Sequence, residues 1–548
     1  MRGGFFLLIL CLSLEQAQPP RDVPRAQAAT ATIRGHTTSA ASGQPLHRVR
    51  ITLNGAAQNP PADVTDTRGG FEITDVPPGS YTLTATRAGY LTVQYGQRRP
   101  RELGRTIDVH PGDVIDDIDI ALTRSSVLAG RITDEAGDPA PGVRVEALEY
   151  RYIRGRRVLV PARLTSTNDI GEYRLSGLEP GGFRLRASST DVWESDDGKA
   201  TYVFAVTYFP GVTGSDAPQS INLELGQEIG GLDFRLVPGR AARVTGVVED
   251  VAGQPVRDQV VFLSDITRGI GGRLVSSGQG SPPVKTDSRG AFEFSKLAPG
   301  EYLVGTGNEQ ERVTTTVLLG EGDVQHVNLT PRRRAEVTGV VKTDEDTPPP
   351  FLASRVRLTP IPADPQRVLP RWGESSGVVV RPDWTFRITD IEDPQLFRVT
   401  GLPDDWMLKA VRIGERDVTD VPVAVPRGGA DVKGMEIILS RKGALITGEA
   451  IAPDGAPAHD ATVIVFAENS ALWGPGSRFV RATRPDGQGR FSVPALPPGR
   501  YRIAAVPLVM EGQWEDPAYL QSQERGSTRI ELSEGIVETV KLTAGGAR

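Results

Sequence analysis

The sequence predicts an all-β chain: five tandem antiparallel Greek-key β-sandwiches following one another as an extended or bent rod. Three observations lead there. One short phrase recurs at domain-sized intervals, alternating apolar and polar residues fill the intervals, and 61 Gly and 43 Pro punctuate them. The clearest copy of the phrase runs Thr286-Asp287-Ser288-Arg289-Gly290-Ala291-Phe292 and continues through Pro299-Gly300-Glu301-Tyr302. Others are Thr65-Asp66 to Phe71 with Pro78-Gly79-Ser80-Tyr81, Asn168-Asp169 to Tyr173 with Pro180 to Phe183, and Pro485-Asp486 to Phe491 with Pro498-Gly499-Arg500-Tyr501. Self-similarity at this period indicates an array of like modules rather than one large core. Hydrophobic residues at 38% suit thin two-layer sandwiches.

The modules fall at residues 30–124, 125–240, 241–333, 334–440 and 441–548 of the 548-residue chain, in keeping with domains of about 100–200 residues. Each opens on a strand containing glycine: Thr32-Ile33-Arg34-Gly35, Leu128-Ala129-Gly130, Val244-Thr245-Gly246, Val337-Thr338-Gly339 and Ile446-Thr447-Gly448. A second alternating run follows, such as Val143 to Leu148, with one wet and one buried face. Asp or Asn shortly before Gly then makes a tight turn, because the Asx side chain bonds backbone amides and Gly tolerates positive φ. The aromatic two places past that Gly points inward. Pro-Gly signals a type II turn before another inward aromatic. A closing strand such as Ile118 to Leu122 or Leu232 to Leu236 ends the module. Short strands broken by turns every 8–12 residues or so mark a sandwich. Linkers are nearly absent, since Leu122-Thr123-Arg124 runs almost directly into Val127. The fourth module is worn. It keeps its opening strand and a hairpin from Val378 to Phe386, but Trp406 to Val411 stands where Pro-Gly-x-Tyr is expected.

Residues 1–28 read as a secretory signal: Arg2, an apolar run from Phe5 to Leu14, then polar Glu15 to Gln18. The run is shorter than the ~20 residues a membrane span needs. Cleavage is expected between Ala17 and Ala29. The single cysteine, Cys11, lies inside the run and follows Leu10, where a lipid-anchor signal wants a small residue. The exported product would then have no cysteine, no disulfide and no transmembrane segment. Its destination is the periplasm, the cell surface or the medium.

The order Gly-x-Val, Thr-Asp-x-x-Gly-x-Phe, Leu-x-Pro-Gly-x-Tyr resembles the carboxypeptidase regulatory-like domain of secreted bacterial proteins. That family is a transthyretin-like sandwich related to collagen-adhesin B-type repeats and grouped under a carbohydrate-binding-like fold. The resemblance covers modules one, two, three and five well and module four in part. It implies a domain that accompanies activity elsewhere and performs none itself. Some collagen-adhesin repeats carry a Lys–Asn isopeptide bond. Here only Lys342 lies on an opening strand, and that module's closing strand from Met435 to Ser440 holds no Asn.

The chemistry left to search is sparse. A net charge of −6 argues against nucleic acid as a partner. His36, His47, His110, His326 and His459 are scattered over three modules without ligand spacing, so no metal, cofactor or catalytic residue is assigned. Gly373-Glu374-Ser375-Ser376-Gly377 has the spacing of a nucleophile elbow, but Val378 to Val380 reads as a strand where that motif needs a helix. Acidic clusters at Asp113 to Asp117, Glu194 to Asp197 and Asp344 to Asp346 lack any calcium-loop pattern. Candidate glycan contacts are the loop aromatics Trp193, Tyr208, Trp473 and Trp514, which otherwise cap sandwich cores. Two basic stretches, Arg151 to Arg157 among tyrosines and Arg332 to Arg334, could meet an anionic surface. A non-enzymatic structural, adhesive or interaction scaffold is the function these features imply, with a carbohydrate-binding protein as the alternative. The expected partner is a polysaccharide or a cell-envelope protein.

Overall fold

The computed structural model describes residues 30–545, apart from 56–60, 98–103, 214–218, 266, 269–273, 276–280, 309–310, 364–376, 392–393, 425–429 and 508. The secretory-signal reading of residues 1–28 and the serine motif at Ser375 lie outside the described residues. The chain divides into two compact units. One is built on the strands between Ala31 and Leu122, and the other holds everything from Thr123 onward together with residues 88–91.

The first unit shows the basic plan. Ala31–Ser39 lies between Gly70–Val76 and Val114–Leu122 in a three-stranded sheet. The facing sheet carries Ala62–Val64, Arg50–Asn54 and Gly79–Thr86, with Val93–Gln94 and Thr106–Val109 along its far edge. Alternation does what the sequence foretold. Ile33, Ile51, Leu53, Leu83 and Leu122 are buried between the sheets, while intervening residues are wet.

In the second unit the pairing of that first sheet recurs four times. Ser126–Thr133, Ala242–Val248, Ala335–Thr343 and Ala444–Ile451 each take the central place. Four of the buried clusters lie in turn within residues 128–236, 242–329, 337–439 and 444–542, so the apolar core is partitioned along the chain. The opening-strand glycine always pairs with the aromatic past the Asx turn. Gly35 faces Phe71, Gly130 faces Tyr173, Gly246 faces Phe292, Gly339 faces Phe386 and Gly448 faces Phe491. All five rings are buried. Glycine is required there by space. A Cβ on Gly246 would stand 2.1 Å from the Val327 carbonyl oxygen and 2.5 Å from the Phe292 ring. Gly35, Gly339 and Gly448 are hemmed in the same way by a closing-strand carbonyl and a ring.

Not every pairing is antiparallel. The closing strand runs parallel to the opening one in all five stretches, as Thr245 with His326 and Thr447 with Thr539 show. First and last strands pointing the same way make the chain enter at one end of the sandwich and leave at the other. A module built so can be followed at once by another, which suits the missing linkers.

Module two adds a third sheet of Val192–Glu194, Thr201–Ala205 and Val237–Arg240, and its closing strand is split into Glu228–Ile229 and Phe234–Arg235. The wear in module four has a structural counterpart. In modules three and five the strand after the Pro-Gly corner's strand stays in that sheet, whereas in module four Met407–Ile413 crosses to pair with Val432–Ser440 beside the opening strand. Trp406 at its start is buried against Phe351, with ring centroids 5.2 Å apart.

Modules two and five also touch. The hairpin of Arg144–Ile153 and Arg156–Ser166 ends at Arg154-Gly155, where a Cβ on Gly155 would lie 2.2 Å from the Glu515 carbonyl oxygen.

Candidate functional site

Most side chains singled out in the sequence are engaged in holding turns. Asp66 Oδ1 accepts hydrogen bonds from the amides of Arg68 and Gly70, both at 2.8 Å. Asp287 Oδ1 accepts from Arg289 at 2.8 Å and Ala291 at 2.9 Å, and Asn168 does the same for Ile170 and Glu172. These amides hold the carboxyls of Asp66 and Asp287 below the ordinary carboxylate range. The acidic clusters are likewise engaged. Asp113 accepts the His110 amide, Asp197 accepts the Ser195 hydroxyl, and Asp344 meets Lys409 at 3.1 Å. Among the described residues no three His, Cys, Asp or Glu side chains come together as a metal site. Lys342 sits between Asp346 at 2.6 Å and Glu436 at 2.9 Å as an ion pair.

The four aromatic candidates fall in two places. Trp193 is half-buried on module two's extra sheet, 4.8 Å from the Phe204 ring and stacked 6.0 Å from Tyr202, while Tyr208 is 9% exposed. Trp473 and Trp514 pack on a second apolar cluster on the outer face of module five's larger sheet, around Phe466, Val480 and Leu520. Trp473 donates its indole N–H to the Ala467 carbonyl at 2.7 Å and meets Phe466 edge-on.

Sequence reasoning missed the cavity beside Trp473. The loop Asn469 to Ser477 begins with Asn469 capping a 3-10 turn through the Ala471 amide. Together with the Pro-Gly-Arg-Tyr corner it borders an open hollow of about 410 Å³ lined by Asn469, Leu472, Phe479, Arg500 and Glu468. Glu468 reaches Arg529 at 2.8 Å and Arg502 at 3.6 Å, and those arginines line a second cavity of about 500 Å³ with Glu524, Arg525 and Ser527. An apolar floor rimmed by convergent polar groups is the usual form of a small-ligand site. The loop's Trp-Gly-Pro-Gly was its only sequence signal. The lining itself comes from the ends of two strands and the loops beside them and could not be assembled from spacing.

At the junction of modules four and five, Asp420 receives Arg398 at 3.2 Å and Arg478 at 2.8 Å, and Arg478 also donates to the Leu408 and Lys409 carbonyls. Burial lowers the pKa of Arg398, yet the arrangement ties the two modules rather than exposing a cation. In the basic stretch of module two, Arg151 pairs with Glu149 at 2.6 Å and Arg154 lies half-buried at the hairpin tip near Glu515. Arg333 of the other stretch pairs with Asp431 at 3.0 Å.

Comparison with known families matches residues 32–123, within the first module, to the carboxypeptidase regulatory-like domain. No curated protein matches the chain. Among solved structures it is similar to a Streptococcal ancillary pilin at 13% identity, covering 56% of this chain and 100% of the pilin with a TM-score of 0.20. It is similar to the Bacillus anthracis TIE protein at 13% identity and a TM-score of 0.16, covering 56% of this chain and spanning 51% of that one. A putative carbohydrate binding protein from Pseudomonas aeruginosa is similar at 17% identity over 17% of this chain and 88% of its own, with a TM-score of 0.14.

Proposed function

We propose that this chain is a non-enzymatic, exported scaffold of five sandwich domains, bounded as the repeats suggest at 30–124, 125–240, 241–333, 334–440 and 441–548. Its work is structural, adhesive or interactive at the cell envelope. The observation that carries this is the parallel closing strand, which sends the chain from one end of each sandwich to the other and so favours serial connection over a closed catalytic body. The reactive-looking side chains support it, being engaged in turns and ion pairs. The test is a gene expressed in its native type of host, followed by envelope fractionation and by a panel of ester, peptide and glycoside substrates offered to the purified chain. The scaffold reading expects envelope or secreted material and no turnover. Turnover above buffer, lost in a Ser375→Ala variant, would replace it with a hydrolase.

The glycan-binding alternative is favoured by one observation, the cavity of about 410 Å³ beside the Trp473 loop. Trp193, Tyr208, Trp473 and Trp514 remain its proposed contacts. A glycan array on the intact chain tests it. Binding weakened by Trp473→Ala or Trp193→Ala supports the alternative, and silence across neutral and acidic glycans removes it.

A further inference from the structure

The outer face of module two's largest sheet holds two guanidinium groups that, among the described residues, no carboxylate answers. Its strand order places Arg144–Ile153 between Arg156–Ser166 on one side and Gly181–Ser188 on the other. Tyr150 pairs with Leu159, Tyr152 with Arg157, and Leu148 with Arg184. Arg157 and Arg184 therefore approach Tyr150 diagonally from opposite neighbours, the reach that long side chains span across a sheet. Their guanidinium carbons stand 4.0 Å and 4.6 Å from the ring centroid. Neither arginine has an ion pair among the described residues, whereas Arg186, farther along the same strand, is neutralised by Glu146. Tyr150 is half-buried and Arg157 exposed.

Attraction to the ring face holds each guanidinium in place, and a weakly hydrated guanidinium presented so is suited to bidentate recognition of a carboxylate. The two carbons can be no farther apart than 4.0 and 4.6 Å taken end to end, which is 8.6 Å. Residues i and i+2 of an extended strand project to one side at about 6.6–6.8 Å. We propose that the Arg157–Tyr150–Arg184 ladder is a docking surface for an extended acidic polypeptide segment with carboxylates on alternate residues. This deepens the scaffold reading, on which it rests, by giving the chemistry of the protein partner. Tyr150 is a positioning residue, and the arginines make the contact.

The probe is a fluorescent octapeptide of alternating Glu and Thr, titrated by anisotropy into the intact chain at low salt. A peptide of equal charge with its four Glu consecutive serves as control, and an oligogalacturonate serves as the glycan comparison. The ladder predicts tighter binding of the alternating peptide than of the control. It also predicts weakening by about threefold or more in R157A and in R184A, weakening in Y150L and retention in Y150F. A circular-dichroism melt of each variant separates lost binding from lost folding. Equal binding of the two peptides, indifference to both arginines, or a stronger ladder-dependent response to the oligogalacturonate would each overturn the proposal. None of these outcomes touches the fractionation and turnover results on which the scaffold reading depends.

Discussion

At the corners of this protein single side chains stand in for backbone partners. In modules one, two, three and five the Asx side chain accepts from the amides two and four places on, and because Asp287 does so as a carboxylate its pKa is depressed in the fold. A depressed carboxyl adds stability that is present above its unfolded pKa of about 3.9 and is lost as pH falls through the lower folded value. Asp287→Asn keeps the acceptor, as module two does naturally with Asn168, but does not titrate there. Its acid-unfolding midpoint, followed by circular dichroism, should lie at lower pH than that of Asp287→Ala, and the alanine variant should already melt lower at neutral pH. The Pro-Gly corner depends on a hydroxyl instead. Tyr501 donates to the Pro497 carbonyl at 2.7 Å, Tyr302 to Ala298 and Tyr81 to Pro77 at 2.8 Å, while module two has Phe183 there. Tyr501→Phe keeps the ring and should cost about 1 kcal/mol in a denaturant titration.

Strands are placed by the fit between a glycine and a ring. Gly246→Ala puts a methyl against the Val327 carbonyl, which cannot give as a side-chain end could, and the Phe292 ring must shift as well. The expected loss is roughly 1–3 kcal/mol of module stability, read as a lower thermal midpoint. A neutral result would mean that the opening strand and its two neighbours in the same sheet leave more room around Gly246 than this contact allows. Both partners of this fit were visible in the sequence, since Gly-x-Val and Gly-x-Phe recur at fixed offsets and alternation named the buried face. The parallel closing strand was not visible, because alternation fixes which face is buried and is blind to strand direction. The crossing of Met407–Ile413 was hidden for the same reason. Bulges were hidden as well. The penultimate residue of the aromatic-bearing strand is left-handed in several modules, and only Gly177 betrays it, since Asp75, Lys296 and Ala495 take φ of 57°, 60° and 59° without glycine. The module-five cavity escaped because its lining converges from separated strands, whereas the Trp473 loop that borders it carried its own Gly-Pro-Gly signal.

Across the larger unit, modules are joined through charge and through one long hairpin. Asp420 gathers Arg398 and Arg478 between modules four and five, and the Arg154-Gly155 tip meets the Glu515 segment between modules two and five. Since Cys11 is the chain's single cysteine, an Arg154→Cys, Glu515→Cys pair should close into an intramolecular disulfide under mild oxidation. Failure to close, or closure only between molecules, would undo the contact. Beneath these joints lie separate cores, each pinned by one ring against one glycine. Hydrogen exchange read by mass spectrometry on the intact Phe292→Ala chain tests that most directly. Removing the ring should cost about 3–5 kcal/mol locally, so protection should fall in the strands between Ala242 and Leu329 and persist in Ser126–Thr133 and Ala444–Ile451. Protection lost uniformly from Thr123 onward, or unchanged within module three, would contradict it.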